Sequence, residues 1–228
     1  MFSGKLISFL KAITIGLPFF IGLLRFGRMD KSFQPFLIYL FIGLITEIAT
    51  YVHIATSANT NAVISNVFVL VEWLLITWQF QAWGIFRNHP VSFALLIGVI
   101  AATWFVENFW FGNIVTFSPY YREVYSFVVV LMSVSVINYT IIHDYKNVLK
   151  NARFLLCLGL IVFFLYKMIY EWAYQIINVK RYEELSNQII SWFDYVNAGV
   201  NMVFALAMLF APARTRHRLI NLKEPNSR

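Results

Sequence analysis

The sequence has little charge and almost no cysteine. Only 13% of its 228 residues are Asp, Glu, Lys or Arg, against about 25% in soluble domains. Cys157 is the single cysteine, which excludes a disulfide scaffold. The chain contains no G-x-S-x-G, C-x-x-C, P-loop or dinucleotide-binding motif. The sequence therefore gives no positive sign of catalysis, and a binding or transport protein is favoured over an enzyme.

Histidine is also scarce, and its placement argues against a metal site. His53 is six residues after Glu47, which is not a ligand spacing on one helix face. The other three histidines, His89, His143 and His217, fall in segments predicted to lie on the opposite side of the membrane. Because several histidines at one depth are needed for zinc or haem, we expect no metal and no cofactor.

Hydrophobic residues, in contrast, make up 60% of the chain, and 23 of its residues are Phe. Seven apolar stretches are long enough to cross a bilayer as helices. They span 5–25, 33–55, 62–86, 90–110, 120–142, 153–176 and 187–211. The sequence predicts an all-α polytopic membrane protein, with a seven-helix transmembrane domain over 1–211 and a basic tail over 212–228. The first stretch carries Lys11 and no cleavage site, so we expect it to be retained.

The basic residues predict the orientation of this bundle in the lipid bilayer. They concentrate in loops 1, 3 and 5 and in the C-terminal tail, whereas loop 2 has no charge. Because Lys and Arg in short loops mark the cytoplasmic side, the N-terminus is predicted outside and the C-terminus in the cytoplasm. This pattern accounts for the net charge of +7 without a nucleic-acid partner, and it favours the plasma (inner) membrane.

Ionisable side chains inside the predicted spans all lie in the same half of the membrane. A rise of about 1.5 Å per residue places all of them in the outer half of the membrane. They are Lys11, Glu47, Glu72, Lys167, Glu171 and Asp194. Charges within spans generally face the bundle interior and suggest function. We therefore expect a polar cavity that is open to the exterior.

Aromatic and amide side chains extend this predicted cavity. Tyr51, Trp73 and Tyr170 lie near the same level, where their rings suit an organic cation. The full predicted ligand-binding set is Glu47, Tyr51, Glu72, Trp73, Lys167, Tyr170, Glu171, Asp194 and Asn197. Deeper amides, at Gln79, Asn138 and Asn201, suggest a pathway that continues inward.

The preferred interpretation is a transporter for a polar or cationic small molecule, with proton or cation coupling as an option. One alternative is a seven-helix sensor that signals through its basic cytoplasmic side. Another is a non-catalytic subunit that packs on protein partners in a larger membrane assembly. In a purely structural interpretation, Lys167 pairs with Glu171 along its own helix, or with Asp194 across the bundle.

Overall fold

The computed structural model describes residues 13–56, 61–143, 145–177 and 181–213, and they fold into helices joined by short turns. The helices are α1 (Gly16–Arg25), α2 (Gln34–Thr56), α3 (Ala62–Ala82), α4 (Pro90–Phe105), α5 (Pro119–His143), α6 (Ala152–Ile176) and α7 (Glu183–Phe210). Within these ranges the only β pairing is a bridge between Met29 and Ala213. The all-α prediction is confirmed.

Six of the helices, α2 to α7, are long and apolar enough to cross a membrane. The α4 helix reaches that length because a π-helical turn, Val106–Phe111, extends it. The α1 segment, Ile13–Arg25, is apolar but shorter. These lengths indicate an integral membrane protein and agree roughly with the predicted seven helices. Residues 1–12, including Lys11, and the tail from residue 214 lie outside the described residues.

Helix boundaries follow from local sequence. Pro90 and Pro119 each stand at the start of a helix, where the missing amide donor costs nothing. Asn151 caps α6, because its side-chain oxygen accepts hydrogen bonds from the amides of Arg153 (2.9 Å) and Phe154 (3.3 Å). Gly84, with φ of +85°, reverses the chain after α3.

Six helices close into a ring. Along it, α1 packs on α2, α2 on α3, α3 on α5, α5 on α6, α6 on α7, and α7 returns to α1. The α4 helix lies outside this ring, against α3 and α5. It buries only Ile100 and Trp104, so most of its surface is left for lipid. The interior of the ring is consequently where polar side chains can be kept from the acyl chains.

One charged side chain links the first helix of this ring to the last. Arg25, at the end of α1, donates hydrogen bonds to the carbonyls of Met208 (2.6 Å), Leu209 and Ala211 (2.9 Å) at the end of α7. A guanidinium at a helix C-terminus satisfies carbonyls that have no partner within the helix. This contact joins the first and last helices and so closes the ring.

We call the end at which α3, α5 and α7 begin the predicted outer end, and the opposite end the predicted cytoplasmic end. At the predicted outer end, Glu107 of the π-helical turn accepts hydrogen bonds from the amides of Tyr120 (3.1 Å) and Tyr121 (2.6 Å). The carboxylate caps the first turn of α5 and fixes α4 against it.

Candidate functional site

The centre of the ring holds a buried carboxylate with three donors. Glu72 on α3 is 1% exposed. It accepts hydrogen bonds from the hydroxyls of Tyr39 (3.2 Å) and Tyr125 (2.5 Å), and Lys167 Nζ lies 2.7 Å from its Oε2. Lys167 also donates to the Tyr125 hydroxyl. This network therefore links α2, α3, α5 and α6 around one negative charge.

A second ion pair lies closer to the predicted outer end. Arg122 on α5 contacts Glu171 on α6, with Nη1 and Oε1 3.3 Å apart. Its Nη2 donates to Ser65 Oγ (2.8 Å) and to Asn66 Oδ1 (3.1 Å) on α3. Both charged side chains are buried, so the pair and its added hydrogen bonds offset the cost of taking the charges out of water.

Asn66 also holds the connection between α4 and α5 in place. Its Nδ2 donates to the carbonyls of Ile114 (3.0 Å) and Thr116 (2.6 Å). Its own backbone carbonyl accepts from Trp104 Nε1 at 2.8 Å. The connection is thus fixed beside Arg122 by hydrogen bonds rather than left as a free loop.

A cavity of about 580 Å³ runs from these two ion pairs toward the predicted outer end. Its charged lining comes from four helices of the ring: Glu47, Glu72, Arg122, Lys167 and Glu171. Aromatic rings of Phe68, Phe163, Tyr170, Tyr174 and Phe193 complete much of the wall. A volume of a few hundred Å³ is typical of small-molecule sites.

The charges of the cavity do not balance. Its two bases are each paired with one carboxylate, which leaves Glu47 as a third acid in the wall. In the part of the chain that the structure describes, Glu47 forms no ion pair. Asp194 on α7 is close enough to Glu47 for the two charges to interact. Among the described residues, the cavity therefore carries an excess of negative charge on the side formed by α2 and α7.

Most of the predicted ligand-binding residues line this cavity. They are Glu47, Glu72, Lys167, Tyr170, Glu171 and Asn197. Asp194 is half-buried beside the cavity and is not part of its wall. Trp73 packs edge-on against Tyr125, 6.5 Å between ring centroids, and Tyr51 is exposed on α2. Neither of these aromatic residues lines the cavity.

The predicted pathway residues lie in three different places. Gln79 is buried below the cavity, where it donates to the Ser32 carbonyl (2.5 Å) and accepts from the Phe36 amide (2.9 Å). Asn138 is exposed on α5, away from the cavity wall. Asn201 does line the cavity, and its Nδ2 donates to Thr14 Oγ1 at 2.9 Å. The structure thus brings only Asn201 to the cavity.

Sequence reasoning missed Arg122, Tyr39 and Tyr125. The purely structural interpretation paired Lys167 with Glu171 or Asp194, whereas Lys167 pairs with Glu72, and Glu171 pairs with Arg122. A usable signal was the spacing of polar residues. Arg122 and Tyr125 are three residues apart on α5, and Tyr39 is eight residues before Glu47 on α2, which places each pair on one helix face.

Within the described ranges, no group of three His, Cys, Asp or Glu residues has the arrangement of a metal site. No family model, curated protein or solved structure matches the chain. The chemistry of the cavity is therefore the main indication of function.

Proposed function

We propose that the protein is a membrane transporter that takes up a small polar or cationic ligand in the cavity between its helices. The observation that carries the proposal is Glu47, a carboxylate in the cavity wall that neither buried ion pair neutralises. A carboxylate beside a cavity inside the membrane is stabilised by a cation, and a ligand ammonium group is the partner of matching charge.

The surrounding side chains support a cation in that position. Tyr170 and Phe193 present aromatic rings to the cavity, and their centroids lie 4.6 Å apart. Aromatic faces attract ammonium groups, most strongly where water is excluded. Asn197 and Thr50 add polar groups to the same wall. Such a wall suits a ligand with one cationic group and a few hydrogen-bonding atoms.

The two ion pairs have a different role in this proposal. Glu72–Lys167 and Arg122–Glu171 join facing helices across the floor and side of the cavity. A proton or cation that binds one of these carboxylates would release its partner and so loosen the contact between the helices. We propose that this exchange couples transport to a proton or cation.

Uptake into liposomes that contain only this protein tests the proposal. We expect uptake of at least one small amine among choline, ethanolamine and putrescine, and less uptake of neutral glycerol. Glu47→Gln removes the charge but keeps the shape, and we expect it to reduce amine uptake about tenfold or more. Glu184→Gln, at an exposed site on the same end of the bundle, is the matched control and should retain uptake.

Three results would contradict the proposal. Equal uptake by the Glu47→Gln variant and the wild type would show that Glu47 does not take part in ligand recognition. Amine binding with no flux would exclude transport and favour the alternative of a seven-helix sensor. Co-purification of fixed partner proteins, without amine binding, would instead favour the complex-subunit alternative.

A further inference from the structure

A second cavity, of about 800 Å³, lies at the predicted cytoplasmic end of the bundle. Its wall is formed by the turn after α3, the end of α5, the start of α6 and the end of α7. Three side chains of this wall carry or can carry positive charge: His143, Lys150 and Arg153. No Asp or Glu is among its described lining residues. The described lining of this cavity is thus opposite in charge to that of the first one.

Aromatic contacts hold two of these basic groups in place. The guanidinium carbon of Arg153 lies 5.9 Å from the centre of the Trp83 ring. His143 stacks on Tyr139 with 4.1 Å between ring centroids, and its Nδ1 is 2.9 Å from the Tyr139 carbonyl. Since a carbonyl only accepts, Nδ1 is the donor in this contact and Nε2 remains for a ligand.

Three neutral polar side chains of the wall are already engaged within their own helices or at a helix start. Ser135 and Thr140 donate their hydroxyl hydrogens to carbonyls one turn earlier in α5, at 2.9 and 2.8 Å. The Asn151 side chain accepts from the first amides of α6. The Trp83 indole and the Tyr139 hydroxyl add neutral polar groups to the wall, whereas its charge comes from the three basic side chains, which select an anion.

The surroundings favour an anion that belongs to a lipid. Phe210 lines the cavity and is exposed, and Ile142 and Leu149 are exposed on the helices and turn beside it. Such apolar surface suits acyl chains, and a cavity where helices end lies at the level of phospholipid headgroups. Basic pockets between membrane helices on the cytoplasmic side bind anionic headgroups.

We propose that this cavity binds the phosphate group of an anionic phospholipid, with Lys150 and Arg153 as its main contacts. The shared chemistry is a phosphate ester in a basic pocket, and the exposed apolar rim assigns it to a lipid rather than to a soluble phosphate. The proposal does not depend on the function of the first cavity.

Native mass spectrometry of the purified protein in detergent, with added phosphatidylglycerol or phosphatidylcholine, tests this proposal. We expect phosphatidylglycerol to bind the wild type about tenfold more tightly than phosphatidylcholine. The double variant Lys150→Gln/Arg153→Gln should lose most of this preference. Lys150→Gln alone changes only an exposed side chain and should lose part of it. Arg28→Gln/Arg87→Gln, which removes two exposed charges from the same end, should retain it.

Three results would overturn the proposal. Equal binding of the two lipids by the wild type would show that the cavity does not select an anionic lipid. An equal loss of preference in the Arg28/Arg87 variant would show that only overall charge matters. Displacement of phosphatidylglycerol by equimolar glycerol phosphate or inorganic phosphate would assign the cavity to a soluble phosphate compound.

Discussion

Lys167→Met is expected to lower the free energy of unfolding by about 3–5 kcal/mol. The substitution keeps the length of the side chain but removes the charge that faces the buried Glu72 carboxylate, 2.7 Å away. Glu72 would retain the hydroxyls of Tyr39 and Tyr125 but would have no cation. An uncompensated buried charge must be protonated or exposed, and either change costs free energy.

A double variant separates the contribution of the ion pair to stability from the contributions of its two side chains. Glu72→Gln/Lys167→Met removes both charges and leaves an amide oxygen to accept from the tyrosines, so we expect it to recover much of the lost stability. Lys31→Met, at an exposed position, is the control and should change stability by less than about 0.5 kcal/mol. Thermal unfolding in detergent is the measurement. A single variant as stable as the wild type would mean that the pair is not formed.

Gly159→Ala is expected to destabilise the protein by about 1–3 kcal/mol, although alanine is the better helix former. A Cβ at this position of α6 would lie 2.6 Å and 2.9 Å from the ring of Phe204 on α7. That ring packs edge-on against Phe36, 5.0 Å between centroids, so moving it away from an added Cβ would cost this contact. Small residues let membrane helices approach closely, and the close contact between α6 and α7 depends on Gly159.

The matched control is Gly98→Ala on α4, where an added Cβ has no neighbour within 4 Å. We expect that variant to be as stable as the wild type or more stable by about 0.5–1 kcal/mol. Adding Phe204→Leu to Gly159→Ala should restore part of the loss by freeing space at the contact. If thermal unfolding shows the same midpoint for both glycine variants, the close α6–α7 contact is contradicted.

The positions of the helices could be predicted because crossing a bilayer sets a strict minimum of apolar length. The predicted stretches from 33 to 211 agree within about four residues with the helices of the structure. The depth of each ionisable residue in the membrane could also be predicted, because the helical rise fixes how far a residue lies from each end of its helix. Glu47, Glu72, Lys167 and Glu171 accordingly meet at one cavity.

The partners of these charges could not be predicted, because pairing depends on how each helix is rotated and tilted against its neighbours. Lys167 and Glu171 are one turn apart, yet each turns to a different helix of the ring. Arg122 lies only three residues after Pro119, so the sequence places it near the loop and not inside the span. The structure instead buries it on the first turn of α5.

Depth alone was a poor guide to which aromatic residues line the cavity. Trp73 follows Glu72 directly, but consecutive residues on a helix point about 100° apart. Trp73 therefore packs away from the cavity, and the aromatic partners of Glu72 come from other helices, as Tyr39 and Tyr125. Similarly, Asn138 lies at a suitable depth but on the exposed face of α5.

Cysteine labelling in intact cells tests most directly whether the acidic cavity is wet and open to the exterior. The reagent is a membrane-impermeant maleimide, and Cys157, which is fully buried, should give little background. We predict that Thr50→Cys, in the cavity wall, is labelled in intact cells, and that Tyr139→Cys, in the basic cavity, is labelled only after permeabilisation. Labelling of Thr50→Cys only after permeabilisation, or not at all, would contradict an outward-facing ligand cavity.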